Sequence, residues 1–220
     1  MKIARFFSFI DNVNDDIRKN EWKKIDQDVI QGIESIKWPV DGKKFTIKPL
    51  KNENGVRPIK INLMKHLKEK GWKLEVPISP DYPRNKIDAV LEINKLEVSL
   101  EFETGNIASI HRSLSHIMSR KLSQENNIGG ILILSSMALA RYLTENVANE
   151  EGLHAYFDIF RSYRELSYWK KGFLVLYVIE HDCLSLNVPL IPKDTDKKRK
   201  IKGDEILVDN SITKYFKKEI

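Results

Sequence analysis

Eight residues of strict alternation, Leu96-Glu-Val-Ser-Leu-Glu-Phe-Glu103, run directly into Thr104-Gly105-Asn106 and then an amphipathic stretch. Successive side chains of a strand point to opposite faces. Val98, Leu100 and Phe102 therefore line one face, and Glu97, Ser99, Glu101 and Glu103 the other. Glu101 and Glu103 become neighbours at the end of the strand, where a sheet usually presents its ligand. A third carboxylate, Asp88, lies in the apolar segment Ile87-Asp-Ala-Val-Leu-Glu-Ile93. The dipeptide Asn94-Lys95 is suited to turning that segment back onto the Glu101 strand, within reach of both glutamates.

Carboxylates gathered in this way repel one another. At an effective dielectric near 20 and a separation of about 5 Å, each like-charged pair costs roughly 3 kcal/mol. The group must be solvated, protonated or holding a cation, and hard oxygen donors with open positions suit Mg²⁺, with Mn²⁺ as a substitute. The plainer alternative is a solvated edge strand with an acidic outer face, the ordinary state of antiparallel strands.

A chain of 220 residues suggests one sizeable domain. No apolar run approaches the roughly 20 residues that span a bilayer; the longest, Gly172-Phe-Leu-Val-Leu-Tyr-Val-Ile179, has the length of a buried strand. Met1 to Ile10 has a faint leader-like character, but Asp11 follows at once and no small-residue cleavage site is present. A single cysteine, Cys183, excludes an internal disulfide and fits a reducing (prokaryotic) cytoplasm. The net charge of +6 is a modest basic bias compatible with nucleic acid. Much of the excess falls late, in Lys197-Lys-Arg-Lys200 and after, so residues from about 193 to 220 read as a basic tail to a domain spanning 1–220.

Periodicity predicts helices over residues 12–36, from Pro58 to about Lys70, over 107–122, from Met137 to Val147, and around 150–160. Strands are predicted at Phe45-Thr-Ile47, at the Asp88 and Glu101 segments, at Gly129 to Leu134 and at Gly172 onward, with residues 72–86 irregular. The order implies an α/β domain: a mixed central sheet with helices on both faces.

The segment Glu101-Phe-Glu-Thr-Gly-Asn-Ile-Ala-Ser-Ile-His-Arg-Ser113 closely resembles the active-site segment of the BamHI restriction endonuclease family. So do Trp38-Pro39, Phe45-Thr-Ile47, Asn54-Gly55, Pro58-Ile-Lys60, Ile87-Asp88, Tyr142-Leu-Thr144 and Asn187-Val-Pro-Leu-Ile-Pro-Lys193, in the family's order over roughly residues 36–196, with weaker likeness before and after. The resemblance implies a restriction-endonuclease-like (PD-(D/E)XK) core and a homodimer that cuts palindromic double-stranded DNA with Mg²⁺. It implies Asp88, Glu101 and the backbone carbonyl of Phe102 as metal ligands. Glu103 stands where most relatives of this nuclease core carry lysine, and would orient or deprotonate the attacking water. Glu75, in Lys73-Leu-Glu-Val-Pro77, matches the fourth acid, catalytic and metal-binding, across a length difference; its alternative is an ordinary surface acid.

Asn106 falls at a helix start, where it could cap the helix, meet phosphate or pair with adenine. The resemblance places Asn106 and Arg112 at base-reading positions; Ala108 stands where the family's best-known member has serine. That member carries Asp-Arg where this chain has Glu145-Asn146, and reads a G·C outer pair. An amide in place of a guanidinium suits adenine, so the expected site keeps a central GATC and carries A·T or T·A flanks, as in TGATCA or AGATCT. Lys60 matches a groove-side contact and Asp196 a loop near the minor groove. His111 reads as packing or a local hydrogen bond, and Ile117, Met118, Tyr156 and Phe157 as core or dimer interface. The competing class is a DNA-binding protein on the same fold that does not cleave; a complete carboxylate set argues against it, since a pure binder gains nothing from acids facing phosphate.

Overall fold

Asn94 and Lys95 both adopt left-handed backbone conformations, φ 50° and 66°, as a two-residue turn that matches strand twist requires. They join β4 (Lys86–Ile93) to β5 (Leu96–Phe102) as an antiparallel hairpin with Ile93 opposite Leu96 and Ala89 opposite Leu100. β5 continues through α3 (Ile107–Ser123) to β6 (Asn127–Ser135), which lies parallel to it. β7 (Gly172–Glu180) lies parallel to β6, and β3 (Lys73–Pro77) pairs antiparallel with β4. The first strand, β1 (Lys2–Asn12), closes the far edge antiparallel to β7, giving the order β1-β7-β6-β5-β4-β3. The computed structural model describes residues 1–14, 17–81, 83–144 and 147–193.

Both faces of this sheet are covered. On one, α1 (Lys23–Ser35) and α2 (Arg57–Glu69) bring Ile25, Val29, Ile33, Leu63 and Leu67 onto Val98, Leu100, Phe102, Ile131 and Ile133. On the other, Ile110, Leu114 and Ile117 of α3 join Phe157 and Phe160 of α5 (Phe157–Ser162) over Val90, Leu132, Leu134 and Leu176. β6 is therefore buried along its whole length, and Gly130 lets α3 lie close against it: a Cβ there would stand 2.1 Å from Ile117 Cγ2.

Four expectations need correction. The segment read only for leader character is β1; bulges at Ile3/Arg5 and Ser8/Ile10 break the alternation that would have revealed it. The helix over 12–36 begins later, with a π turn at Arg18–Trp22 leading into α1. The irregular stretch over 72–86 contains β3, disguised because Glu75 leaves the extended conformation (φ 53°). The helix from Met137 is one turn only, α4 (Met137–Ala140). Two short strands, β2 (Thr46–Ile47) and β8 (Cys183–Leu184), pair beside the main sheet.

Candidate active site

The strand registers align the acids. Since Ala89 faces Leu100, Asp88 stands opposite Glu101; since Leu74 faces Ala89 and Val76 faces Ile87, Glu75 stands opposite Asp88. Adjacent strands are about 4.8 Å apart, so Glu75, Asp88 and Glu101 form a row across three strands, ending at Leu132 on β6. Asp88 turns its Oδ2 to accept the Phe102 N–H at 2.8 Å, displacing the regular ladder at the point where the two acids meet. Glu75 holds its place in a left-handed conformation, an uncommon cost of order 1–3 kcal/mol for a residue with a side chain.

The polar face of β5 is buried rather than solvated. Glu97 is 2% exposed, Ser99 0%, Glu101 5% and Glu103 6%, which excludes the acidic edge-strand alternative. Their cover is an inner stripe of α3 at spacings of three and four. The Ser113 hydroxyl donates to Glu103 Oε2 at 2.8 Å, His116 Nδ1 lies 3.0 Å from Glu101 Oε1, and Arg120 holds both oxygens of Glu97 at 2.8 and 2.5 Å. Sequence reasoning missed this stripe. Its signal was available: Ser113, His116 and Arg120 repeat at i, i+3 and i+7, as a polar line on the buried side of a helix.

Glu101, Glu103, Asp88 and Glu75 line one open cavity of about 510 Å³, with Lys60, Arg84, Lys86 and Arg112 around them. Burial, then the Asp88 carboxylate opposite, pushes Glu101 up to about 10. The same two causes raise Glu75. Lys60, expected as a groove contact, reaches in from α2 to place its Nζ 2.7 Å from Asp88 Oδ1. Glu103 is held at its other oxygen by the Gly105 N–H at 2.5 Å.

Among the described residues no three His, Cys, Asp or Glu side chains close into a ready-made metal cage. What the chain offers is an open pair of opposed carboxylates beside a cavity, with one of them driven towards protonation by burial and by the facing carboxylate. That donor chemistry fits a hard divalent ion such as Mg²⁺, which keeps several waters and takes only one or two protein carboxylates.

Asn106 caps α3, accepting from the Ser109 N–H at 3.1 Å, and is exposed at the rim. Arg112 is exposed too, its guanidinium 3.8 Å from Glu103. His111 packs edge-on against Tyr156, as expected. Ile117 and Phe157 belong to the core, whereas Met118 and Tyr156 are only partly buried. Glu145, Asn146 and Asp196 lie outside the described residues, as does most of the basic tail. No helix among the described residues is long and apolar enough to cross a membrane.

The family model described as restriction endonuclease BamHI matches residues 1–198, so the likeness includes the first 35 residues that looked divergent. The type II restriction enzyme OkrAI of Oceanobacter kriegii is 39% identical over 171 residues, 77% of this chain and 86% of that protein. The type II restriction enzyme BamHI of Bacillus amyloliquefaciens is 32% identical over 186 residues, 79% of this chain and 82% of that protein. The crystal structure of restriction endonuclease BglII complexed with a DNA 16-mer shares the fold, with a TM-score of 0.52 at 13% identity over 83% of this chain and 78% of that one.

Proposed function

The chain belongs to the BamHI restriction endonuclease family and is a type II restriction endonuclease, and from that premise we propose that it hydrolyses double-stranded DNA at a short palindrome, as a homodimer, in a reaction requiring Mg²⁺. The observation that carries the reading is the row of Glu75, Asp88 and Glu101 across β3, β4 and β5, joined by Glu103 in a single cavity.

Asp88, Glu101 and the Phe102 carbonyl would hold the ion, with Glu75 beside them. When bound, the ion supplies positive charge to the phosphate and to the departing 3′ oxygen. Glu103 is the residue assigned to the nucleophile. With one oxygen fixed by the Gly105 N–H and the other by the Ser113 hydroxyl, its remaining lone pairs orient a water and receive its proton as the water oxygen bonds to phosphorus and the bond to the 3′ oxygen breaks. Proton transfer to a positioned base is worth typically 10²–10⁴ in rate. The Lys60 ammonium, already inside the cavity, can offer its positive charge to a phosphate oxygen.

We assign Asn106 and Arg112 to the central bases of a GATC core, and Glu145 with Asn146 to A·T or T·A flanks such as those of TGATCA. Asn106 and Arg112 are both exposed, and Arg112 stands 3.8 Å from Glu103, which supports the reading. A palindrome calls for two-fold symmetry, and Met118 and Tyr156 on α3 and the 3₁₀ turn Glu151–Tyr156 are our candidates for the dimer contact. The free Cys183 suits a cytoplasmic enzyme.

The test is to incubate the purified protein with Mg²⁺ and adenine-unmethylated phage DNA and to sequence the fragment ends. Discrete ends at a six-base palindrome centred on GATC are expected. Ends at an unrelated sequence would remove the base assignments. Binding without cutting at any divalent ion would remove the assignment of the acids.

A further inference from the structure

Each of the two opposed carboxylates of the site meets a side-chain nitrogen, and the two partners differ in kind. Asp88 meets the Lys60 ammonium, a mobile charge on a flexible stem. Glu101 meets His116, whose ring is fixed on α3 one turn beyond Ser113 and one turn before Arg120. Those two flanking residues are themselves pinned to Glu103 and Glu97. Glu101 is on the end of β5, 5% exposed, with the like-charged Asp88 opposite. Without that contact, nothing on α3 would hold the carboxylate against rotating away from Asp88.

We infer that His116 is a positioning residue: its Nδ1–H donates to Glu101 Oε1 and so holds Glu101 oriented as a ligand for the divalent ion. The inference rests on the reading of Glu101 as a metal ligand. Groups that orient a ligand from behind are worth 10- to 100-fold in metal affinity, and which ring nitrogen makes the contact is part of the assignment. The neighbouring cation argues the same way. Lys60 sits at the end of a flexible stem, whereas His116 is a shorter side chain, half-buried on α3 between Ser113 and Arg120. Because α3 is capped by Asn106 and carries Arg112, the helix assigned to the DNA is the one that sets the ligand.

The experiment measures Mn²⁺ binding to the intact, DNA-free protein by titration calorimetry, with thermal melting as a check of folding. His116→Ala should weaken Mn²⁺ binding about 10-fold or more. His116→Asn, whose amide nitrogen falls near the Nδ1 position, should recover to within about threefold of the parent, while His116→Gln, which mimics Nε2, should not. Unchanged Mn²⁺ binding in His116→Ala, or equal binding by the Asn and Gln variants, overturns the inference. Glu101→Ala separates the two levels of failure. If it loses Mn²⁺ while His116→Ala does not, only the positioning role falls; if Glu101→Ala itself binds Mn²⁺ normally, the metal assignment falls and the role of His116 with it.

Discussion

Replacing Arg120 with alanine should destabilise the fold by about 3–5 kcal/mol, the range for breaking a buried ion pair by removing one partner. Arg120 is 8% exposed and Glu97 2%. The guanidinium donates from Nε and Nη2 to the two Glu97 oxygens at 2.8 and 2.5 Å, and from Nη1 to the carbonyls of Pro77 at 2.6 Å and Ile78 at 3.4 Å. Alanine leaves the carboxylate with one remaining side-chain donor, Asn127 Nδ2 at 3.0 Å, and frees two carbonyls at the end of β3. Summing four charge-assisted bonds at about 1.5–3 kcal/mol each would exceed the true loss, because Arg120 and Glu97 are both hydrated in the unfolded chain. One stranded, partly satisfied carboxylate sets the scale. For a domain of this size the loss corresponds to roughly 6–20 °C in Tm. Urea denaturation of Arg120→Ala and of the paired variant Glu97→Leu with Arg120→Met measures it. The pair, which removes both charges, should recover most of the stability. A single variant costing less than about 1 kcal/mol, or a pair as unstable as the single, would refute the reasoning, since the cost is assigned to the stranded charge and not to lost volume.

Four further outcomes are expected. In EDTA, Glu101→Gln should raise Tm at pH 8: the folded carboxyl, pushed up to about 10, lies above its ordinary value of 4.5, so the folded state binds the extra proton and parent stability falls as pH rises across that window. The gain should shrink towards pH 4.5 and cleavage should be lost; calorimetric melting against pH decides it. Lys60→Met should tighten Mn²⁺ binding several-fold, because the ammonium 2.7 Å from Asp88 Oδ1 competes for that oxygen, while lowering cleavage at saturating metal; unaltered affinity would exclude competition. Gly105→Ala places a Cβ 2.9 Å from Glu103 Oε1 and 2.7 Å from Ser109 Oγ, so kcat should fall by about 10²-fold with little change in Ca²⁺-supported DNA binding. Asn146→Arg should weaken cutting at an A·T-flanked site by roughly 1–3 kcal/mol in specificity; unchanged flank preference would sink that assignment.

How far the fold could be read from the sequence depended on how far local pattern agreed with tertiary context. The hairpin was legible because Asn94-Lys95 and the alternation on both sides point to one structure. The central strands were legible because a strand covered on both faces is simply apolar throughout, as Gly172 to Ile179 is. β1 and β3 were not, for one physical reason: each contains residues that leave the period of two. In β1 these are bulges against β7; in β3 it is Glu75, turned to φ 53°. Windowed periodicity sees only the interruption, whereas the sheet supplies the partner strand that makes the interruption tolerable.

The site shows the same division more sharply. Asp88, Glu101 and Glu103 were readable because strand alternation alone puts them together. That they are buried was not, because alternation cannot tell water from a covering helix with a polar stripe. The cover changes their chemistry. A solvated acidic face needs no partner, but a buried one needs a donor for each carboxylate, and α3 supplies them in order: Ser113 to Glu103, His116 to Glu101, Arg120 to Glu97. The three donors differ, and so do the acids' surroundings. Arg120 neutralises Glu97 outright at the end away from the cavity, so that acid is structural. At the end that opens to the cavity no acid has so tight a partner: Ser113 gives Glu103 a hydrogen bond while Arg112 approaches it only to 3.8 Å, and Glu101 meets His116 and faces the Asp88 carboxylate. The gradient along one strand, from a bidentate ion pair at Glu97 to the opposed carboxylates of Glu101 and Asp88, is what suits that end of β5 to the cation we propose.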